Sequence, residues 1–376
     1  MIFSPSSSSS ARVIGLLLAV ALGGCGRARP QPERPAPPRL ALFPVQNLTG
    51  GPAPVKEIAA ALRAQLLTYG VVLVPDEVVL RTFATHRIRY TGGLDREMAE
   101  ALREEAGADG VLIPALEVYQ PVPPYRMAMT TRLVTTGAEP TIRFVDSFAR
   151  TGVDSPGLLA MNVVQSMEML RDESLLRMAV EIARSLEGPR RVRSCPEWGE
   201  VPPSRMFRSP LLSDPARRTV AVLPFQNTSG RRDAGELLAL RFLAPLLANG
   251  TVQVVEPGVV RGELLSHRIG AAGGISIDDA RVVLELVRAD LVFSGAVRRF
   301  EDTAGVSGAP SLEFGTWMLD RKAAQLVWSS TTSASGDDGV YFFGIGRVTT
   351  TAALACSMAN GVVNFMLEDR TQLAGK

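Results

Sequence analysis

The chain contains one phrase twice, and this internal duplication constrains the fold more than any other feature. "RLALFPVQNLTG" begins at Arg39, and "TVAVLPFQNTSG" begins 180 residues later at Thr219. Matching motifs continue beyond these phrases, and the offset between them drifts only from 180 to 184 residues. A repeat of about 150 residues greatly exceeds the 20–50 residues of solenoid repeats. The duplication therefore predicts two globular copies rather than a repeat array.

The matches within the duplication are mostly short polar or glycine-containing motifs. Asp76 matches Glu256, and we expect one residue to be inserted in the second copy after this point. The later matches are His86-Arg87-Ile88 with His267-Arg268-Ile269, Gly92-Gly93 with Gly273-Gly274, and Ala108-Asp109 with Ala289-Asp290.

Hydrophobic periodicity predicts the same element order in both copies. A buried strand leads to an amphipathic helix, a second strand, two short helices and three strands that alternate with period two. A long closing helix is expected over about 158–186 in the first copy and 342–367 in the second. The fold class is therefore α/β, with two tandem β-α-β-α-α-β-β-β-α units that each contain a mixed sheet. Six apolar residues should be buried in these sheets: Leu42, Val74, Val111, Val222, Val254 and Val292.

The sequence predicts five segments along the chain. Residues 1–24 form an export signal, because the apolar run "VIGLLLAVAL" follows Arg12 and small residues precede the expected cleavage point. The "LGGC" ending resembles a bacterial lipobox, so Cys25 is predicted to be lipidated. Residues 25–38 are a Pro-rich spacer, 39–187 the first α/β domain, 188–217 a linker and 218–370 the second domain.

The composition is that of an ordinary globular protein. Apolar residues make up 46% of the chain, and 40 basic residues nearly balance 38 acidic ones. No basic block stands out, so no nucleic-acid partner is predicted.

The second copy contains "VAVLPFQNTSG", a helix that follows it, "VQVVE" and "ADLVFSGAV". Together these segments resemble bacterial envelope lipoproteins of the curli-secretion (CsgG-like) family. The amino-terminal domain of TolB and the lipoprotein activator of a penicillin-binding protein are similar. The resemblance implies a protein that is anchored to the outer membrane, faces the periplasm and binds or assembles envelope proteins without catalysis. The long amphipathic strands with which curli-secretion proteins build a pore are not evident.

Two repeated polar positions are candidates for binding a ligand or partner. His86 and His267 are the only histidines; each is expected to end a helix and bond terminal carbonyls, with a ligand role as the alternative. Asn47 and Asn227 follow the first strand of each copy, where open α/β sheets commonly bind ligands. Asn-x-Thr/Ser-Gly is also turn chemistry. The residues predict no catalytic group, metal or cofactor.

A disulfide between Cys195 and Cys356 is one of two outcomes that the cysteines allow. An exported chain whose third cysteine, Cys25, carries lipid retains these two thiols in an oxidising compartment. The other outcome is a buried free Cys356, with Cys195 exposed or paired with another molecule.

The sequence therefore favours a non-enzymatic binding or assembly platform that the lipid attaches to the outer membrane. The alternative is a periplasmic protein that binds a small molecule or glycan at the strand ends near Asn47 and Asn227. A third hypothesis is a hydrolase whose catalytic residues the sequence does not reveal.

Overall fold

The computed structural model describes residues 36–153, 164–188, 199–213, 217–270, 274–302, 308–340 and 346–368. Both copies belong to a single compact unit that spans Pro37–Lys376.

The first copy is a mixed sheet with helices packed on it. The strands are β1 Arg39–Leu42, β2 Gln46–Asn47, β3 Val72–Leu73, β4 Gly110–Gln120, β5 Arg126–Thr135 and β6 Ile142–Thr151. The sheet order is β3-β1-β4-β5-β6, and the two-residue strand β2 also pairs with β4. Strands β1, β3 and β4 are parallel, whereas β4, β5 and β6 form antiparallel hairpins. The helices are α1 Val55–Thr68, α2 Asp76–Thr85, α3 Arg96–Glu105 and α4 Met167–Leu186.

The second copy repeats this order and adds one edge strand from the linker. The strands are β7 Arg205–Arg208, β8 Arg218–Val222, β9 Gln226–Asn227, β10 Val252–Val254, β11 Leu291–Glu301, β12 Ser311–Asp320 and β13 Gln325–Ser335. The sheet order is β10-β8-β11-β12-β13-β7, and the short strand β9 pairs with β11. The helices are α5 Ala234–Asn249, α6 Pro257–Ser266, α7 Ile277–Leu286 and α8 Thr351–Leu367, with a 3₁₀ helix at Pro210–Ser213. The predicted tandem α/β fold class is confirmed.

The inserted residue lies earlier than the sequence comparison placed it. Leu73 pairs with Leu40, and Val254 pairs with the equivalent Val220, so the offset is already 181 in the second parallel strand. The insertion therefore falls between the end of the first long helix and this strand. Matching Asp76 with Glu256 is wrong, because Glu256 occupies the position of Pro75.

The closing helices also begin later than predicted. Helix α4 begins after Ser166 and α8 after Thr350, and each hydroxyl accepts a hydrogen bond from the backbone three residues on. Such a side chain satisfies a backbone N–H that has no partner inside the helix. Parts of both predicted starts, at 158–163 and 342–345, lie outside the described residues.

The two copies share one hydrophobic core. Helices α5 and α8 are buried along nearly their whole length, and their apolar side chains join a cluster that also contains Phe43, Val111 and Val145 of the first copy. A second cluster lies between the first sheet and helices α1 and α4, and a third lies on the α6 and α7 side of the second sheet. The side of the second sheet that carries α5 and α8 therefore packs against the side of the first sheet that carries α2 and α3.

The predicted core residues are buried as expected. Leu42, Val74, Val111, Val222, Val254 and Val292 are all at most 7% exposed. The aspartates of the two Ala-Asp motifs have equivalent roles: Asp109 accepts from the Arg39 N–H, and Asp290 from the Thr219 N–H, both at 2.9 Å. Asp109 therefore fixes the start of β1, and Asp290 fixes the start of β8.

Candidate functional site: the cleft between the two copies

Two ion pairs with buried side chains join the copies, and they run in opposite directions. In the first, Arg241 of α5 donates from Nε to Oε2 of Glu117 on β4 at 2.8 Å. The other oxygen of Glu117 accepts from the Thr130 hydroxyl. Both charged side chains are only 3% exposed.

In the second pair, the basic residue belongs to the first copy. Nη2 of Arg132 on β5 lies 3.1 Å from Oε1 of Glu256, and both side chains are 0% exposed. The same Arg132 nitrogen donates to the Gly92 carbonyl at 2.7 Å. Glu256 also accepts from the Leu94 N–H and caps α6 through the Gly258 N–H. Its carboxylate thus ties α6 directly to the Gly-Gly turn of the first copy.

A third arginine reaches from the second copy into the first Asn-containing turn. Nη2 of Arg231 donates to the carbonyls of Leu48 and Glu117 at 3.1 and 3.0 Å, and Nη1 donates to the Thr49 carbonyl. Its Nε lies 3.3 Å from Asp302.

These charged residues differ between the copies at equivalent positions. Glu117 lies at a bulge in β4, and Arg298 lies at the equivalent bulge in β11. Trp317 occupies the position of Arg132 in the second copy. Arg132 pairs with Ile113 across the hairpin, and Trp317 pairs with Ser294, which is the equivalent of Ile113. Sequence reasoning missed these residues. The available signal was a charge within an apolar stretch, as in "MTTRLVT" or "LALRFLAPL", at a position where the other copy has an uncharged residue.

A cleft of about 470 Å³ opens beside this contact zone, at the carboxyl end of β8. Tyr90 and Gly92 line it from the first copy, and α5 and α6 line it from the second. Its walls are largely apolar, with a few polar groups, and its size falls in the range of small-molecule sites. The apolar lining includes Val222, Phe225, Leu240, Val260, Leu264 and Ile269.

Glu236 is an acidic group of the cleft that the first copy holds in place. Its Oε1 accepts from the Tyr90 hydroxyl at 2.7 Å and from Nε2 of Gln46 at 2.8 Å, so two side chains of the first copy orient it. Burial raises the pKa of the Tyr90 hydroxyl, and the Glu236 carboxylate adds to this effect. Tyr90 therefore stays a neutral donor. The guanidinium of Arg261 lies 3.9 Å from the centre of the Tyr90 ring.

Asp233 lines the cleft at the start of α5. Its backbone is left-handed, with φ 59°, and its side chain makes no capping hydrogen bond. Burial raises the pKa of the Asp233 carboxyl, and repulsion from Glu236 raises it further. Within the described part of the chain, no ion pair joins Arg261 to either carboxylate.

The two candidate asparagines form equivalent Asx turns. Asn47 accepts from the Thr49 N–H, and Asn227 accepts from the Ser229 N–H, both at 3.0 Å. Each side-chain amide also donates to a carbonyl four residues on. Asn227 lines the cleft. Binding at either asparagine stays a prediction.

The two histidines occupy the C-terminal caps of α2 and α6. Nδ1 of His267 lies 3.0 Å from the Glu263 carbonyl in the last turn. His86 instead bonds Glu105 through Nε2 at 2.8 Å, and this bond raises the pKa of His86. Neither histidine lines the cleft. A partner role for either stays a prediction.

Of the cysteines, the structure describes only Cys356. It lies on α8, is 3% exposed and is disulfide-bonded. Cys195 and Cys25 lie outside the described residues, so the Cys195–Cys356 pairing and the lipidation stay predictions.

The described residues contain no group of three or more His, Cys, Asp or Glu residues that could hold a metal ion. No helix among them is long and apolar enough to cross a membrane.

The fold and the cleft define a class of protein: two mixed α/β copies, fused through buried charges, with an amphipathic cavity where they meet. No family model and no curated protein matches the chain. Among solved structures, it is similar to the PelC dodecamer of Paraburkholderia phytofirmans, with 23% identity over 42% of this chain and 92% of that one, at a TM-score of 0.31.

Two other solved structures are similar over a smaller share of the chain. Lipoprotein GNA1162 from Neisseria meningitidis is 15% identical over 34% of this chain and 89% of that one, with a TM-score of 0.27. The C-terminal domain of LpoB from Salmonella enterica is 18% identical over 33% of this chain and 93% of that one, with a TM-score of 0.26. These structures do not test the resemblance to the curli-secretion family or TolB, which stays a prediction.

Proposed function

We propose that this chain is a lipoprotein of the bacterial outer membrane that faces the periplasm. It acts as a non-enzymatic binding or assembly platform for envelope or secretion proteins. The anchor is Cys25, and residues 25–38 hold the α/β body away from the membrane. Two or more acyl chains are needed for stable anchoring, and lipoprotein processing supplies them at the cysteine.

The observation that carries the platform proposal is the pair of buried cross-copy ion pairs. Glu117 with Arg241 and Arg132 with Glu256 fix the orientation of one sheet relative to the other. A body whose two copies cannot rotate against each other presents the same surface to every partner. Such preorganisation reduces the entropy that binding must overcome.

Membrane fractionation tests the anchor. The wild-type chain should be found with the outer membrane, and the Cys25→Ser variant should lose lipid-dependent cleavage and no longer pellet with that fraction. If the serine variant is processed normally and still pellets, the lipoprotein assignment is wrong.

Co-purification from detergent-solubilised envelopes tests the platform role. A platform should retain an envelope protein at a fixed stoichiometry through a high-salt wash, and purified partner and mature chain should re-form the complex. Failure of every retained protein to rebind in purified form would contradict the platform role.

The cleft supports a second candidate, a protein that binds a small ligand at the strand ends. Its volume of about 470 Å³ and its position beside Asn227 are the observations that favour this function. A ligand that binds only the folded state raises the melting temperature as its concentration rises. Thermal-shift screening therefore tests this candidate, which fails if no ligand class shifts the melting temperature.

A further inference from the structure

Among the described residues that line the cleft, two are acidic and one is basic, and no ion pair joins them. Asp233 and Glu236 lie three positions apart at the start of α5, and both line the cavity. Glu236 is held by two neutral donors, Tyr90 and Gln46, rather than by a cation. Neutral donors orient a carboxylate but leave its charge uncompensated.

Among the described residues, Arg261 lines the same cavity and Arg231 and Arg232 attract the Asp233 carboxylate, but none of the three forms an ion pair with either acid. Arg261 is stacked on the Tyr90 ring, and Arg231 is bound to carbonyls of the first copy and to Asp302. Arg232 is solvent-exposed. Two partly buried carboxylates that face the same cavity repel each other, and a bound cation relieves that repulsion.

The remainder of the cavity is suited to an apolar group. Phe225 and Leu240 line it from one side, and Val260 and Leu264 from the other. The polar end and the apolar walls belong to the same cavity of about 470 Å³. A ligand that satisfies both parts has a positively charged head and an apolar body.

We propose that this cleft binds an organic cation with an apolar body, with its ammonium or guanidinium group between Asp233 and Glu236. This inference rests on the ligand-binding candidate and names its ligand class. Because Tyr90 and Gln46 orient Glu236 from the first copy, the site is complete only when the two copies are in contact.

Three probes of equal chain length, n-decylamine, decanoate and decanol, separate charge from apolarity. Calorimetric titration of the full mature chain without lipid should show saturable binding of decylamine at least tenfold tighter than that of the other two. Binding should weaken as salt concentration rises, because the attraction is between charges.

Variants of the two acids locate the head group. Asp233→Asn and Glu236→Gln should each weaken decylamine binding at least tenfold. Asp278→Asn is the matched control, because that side chain is 92% exposed on α7 and should leave binding unchanged.

Asp233→Gly guards against loss of binding through misfolding. Glycine adopts the left-handed backbone of position 233 without strain, so the melting temperature should be maintained or rise while decylamine binding falls.

The possible failures are distinguishable. Equal or tighter binding of decanoate or decanol overturns the cation assignment and leaves the ligand-binding candidate standing. No binding of decylamine up to its solubility limit overturns the organic-cation proposal, whereas the ligand-binding candidate itself fails only if the thermal-shift screen finds no ligand class. Decylamine binding that the Asp233 and Glu236 variants leave unchanged overturns the proposed location.

Discussion

Arg132 and Glu256 form an ion pair whose two side chains are completely buried, although 124 residues separate them in the chain. Each belongs to a different copy of the duplicated unit, and neither has a charged equivalent in the other copy. An unpaired charge at this depth is costly. The pair therefore favours an orientation of the copies in which the two charges meet.

Removing one member of this pair should destabilise the protein strongly. Arg132→Met leaves Glu256 buried without its cation, and we expect a loss of about 3–5 kcal/mol in the free energy of unfolding. The double variant Arg132→Met/Glu256→Gln should recover much of this loss, because the glutamine oxygen still caps α6. Urea unfolding of the two single variants and the double variant gives the coupling energy.

A surface ion pair supplies the control for that cycle. Arg184 and Glu181 lie one turn apart on α4, with side chains 52% and 21% exposed. Arg184→Met should change the free energy of unfolding by less than about 0.5 kcal/mol. Equal losses at positions 132 and 184 would refute a special role for the buried pair.

The close approach of Gly258 to the first copy should be intolerant of a side chain. A Cβ built on Gly258 overlaps the backbone nitrogen of Leu94, which cannot move without moving the copy. Gly258→Ala should cost about 1–3 kcal/mol through overpacking, whereas Gly51→Ala, which meets no atom within 4 Å, should cost little. Differential scanning calorimetry compares the two, and equal melting temperatures would contradict the close contact.

His86 should titrate above its ordinary pKa of 6.5, because its hydrogen bond to Glu105 favours the charged imidazolium. A pKa raised by folding stabilises the fold fully below 6.5, and this contribution is lost as pH rises through the raised value. NMR titration of the imidazole should show the raised pKa in the wild type and a lower one in Glu105→Gln. An identical pKa in both proteins would contradict the assignment.

The bonded state of Cys356 leads to a prediction about Cys195. If these two residues form the disulfide, Cys195→Ser should lower the free energy of unfolding by roughly 5 kcal/mol in the chain-entropy model. Peptide mapping under non-reducing conditions should find the 195–356 cross-link in oxidised wild-type protein. A Cys356 bonded to another molecule instead would overturn the pairing.

The duplication made much of the fold predictable. Apolar strands and paired glycines recur at a nearly constant offset, so each copy supported the assignment of the other. The inserted residue was misplaced because Asp76 and Glu256 are both acidic; only the pairing of Leu73 with Leu40 and of Val254 with Val220 reveals the register.

The cleft was harder to predict, because its residues come from both copies. The strand-end position of Asn227 pointed to the edge of the sheet where the cleft opens, although binding there stays a prediction. Nothing in the sequence showed that Tyr90 would orient Glu236, which lies 146 residues away. A contact between copies depends on how they pack, and hydrophobic periodicity describes each copy separately.

Whether the two copies form one cooperative body is tested most directly by urea unfolding of the mature chain, followed with two probes. Trp317 and Trp328 lie on β12 and β13 of the second copy, so tryptophan fluorescence of a Trp198→Phe variant reports on the second copy alone. Far-ultraviolet circular dichroism reports on both copies. The shared core and the buried ion pairs predict a single transition with the same midpoint by both probes. Two separated midpoints would contradict it.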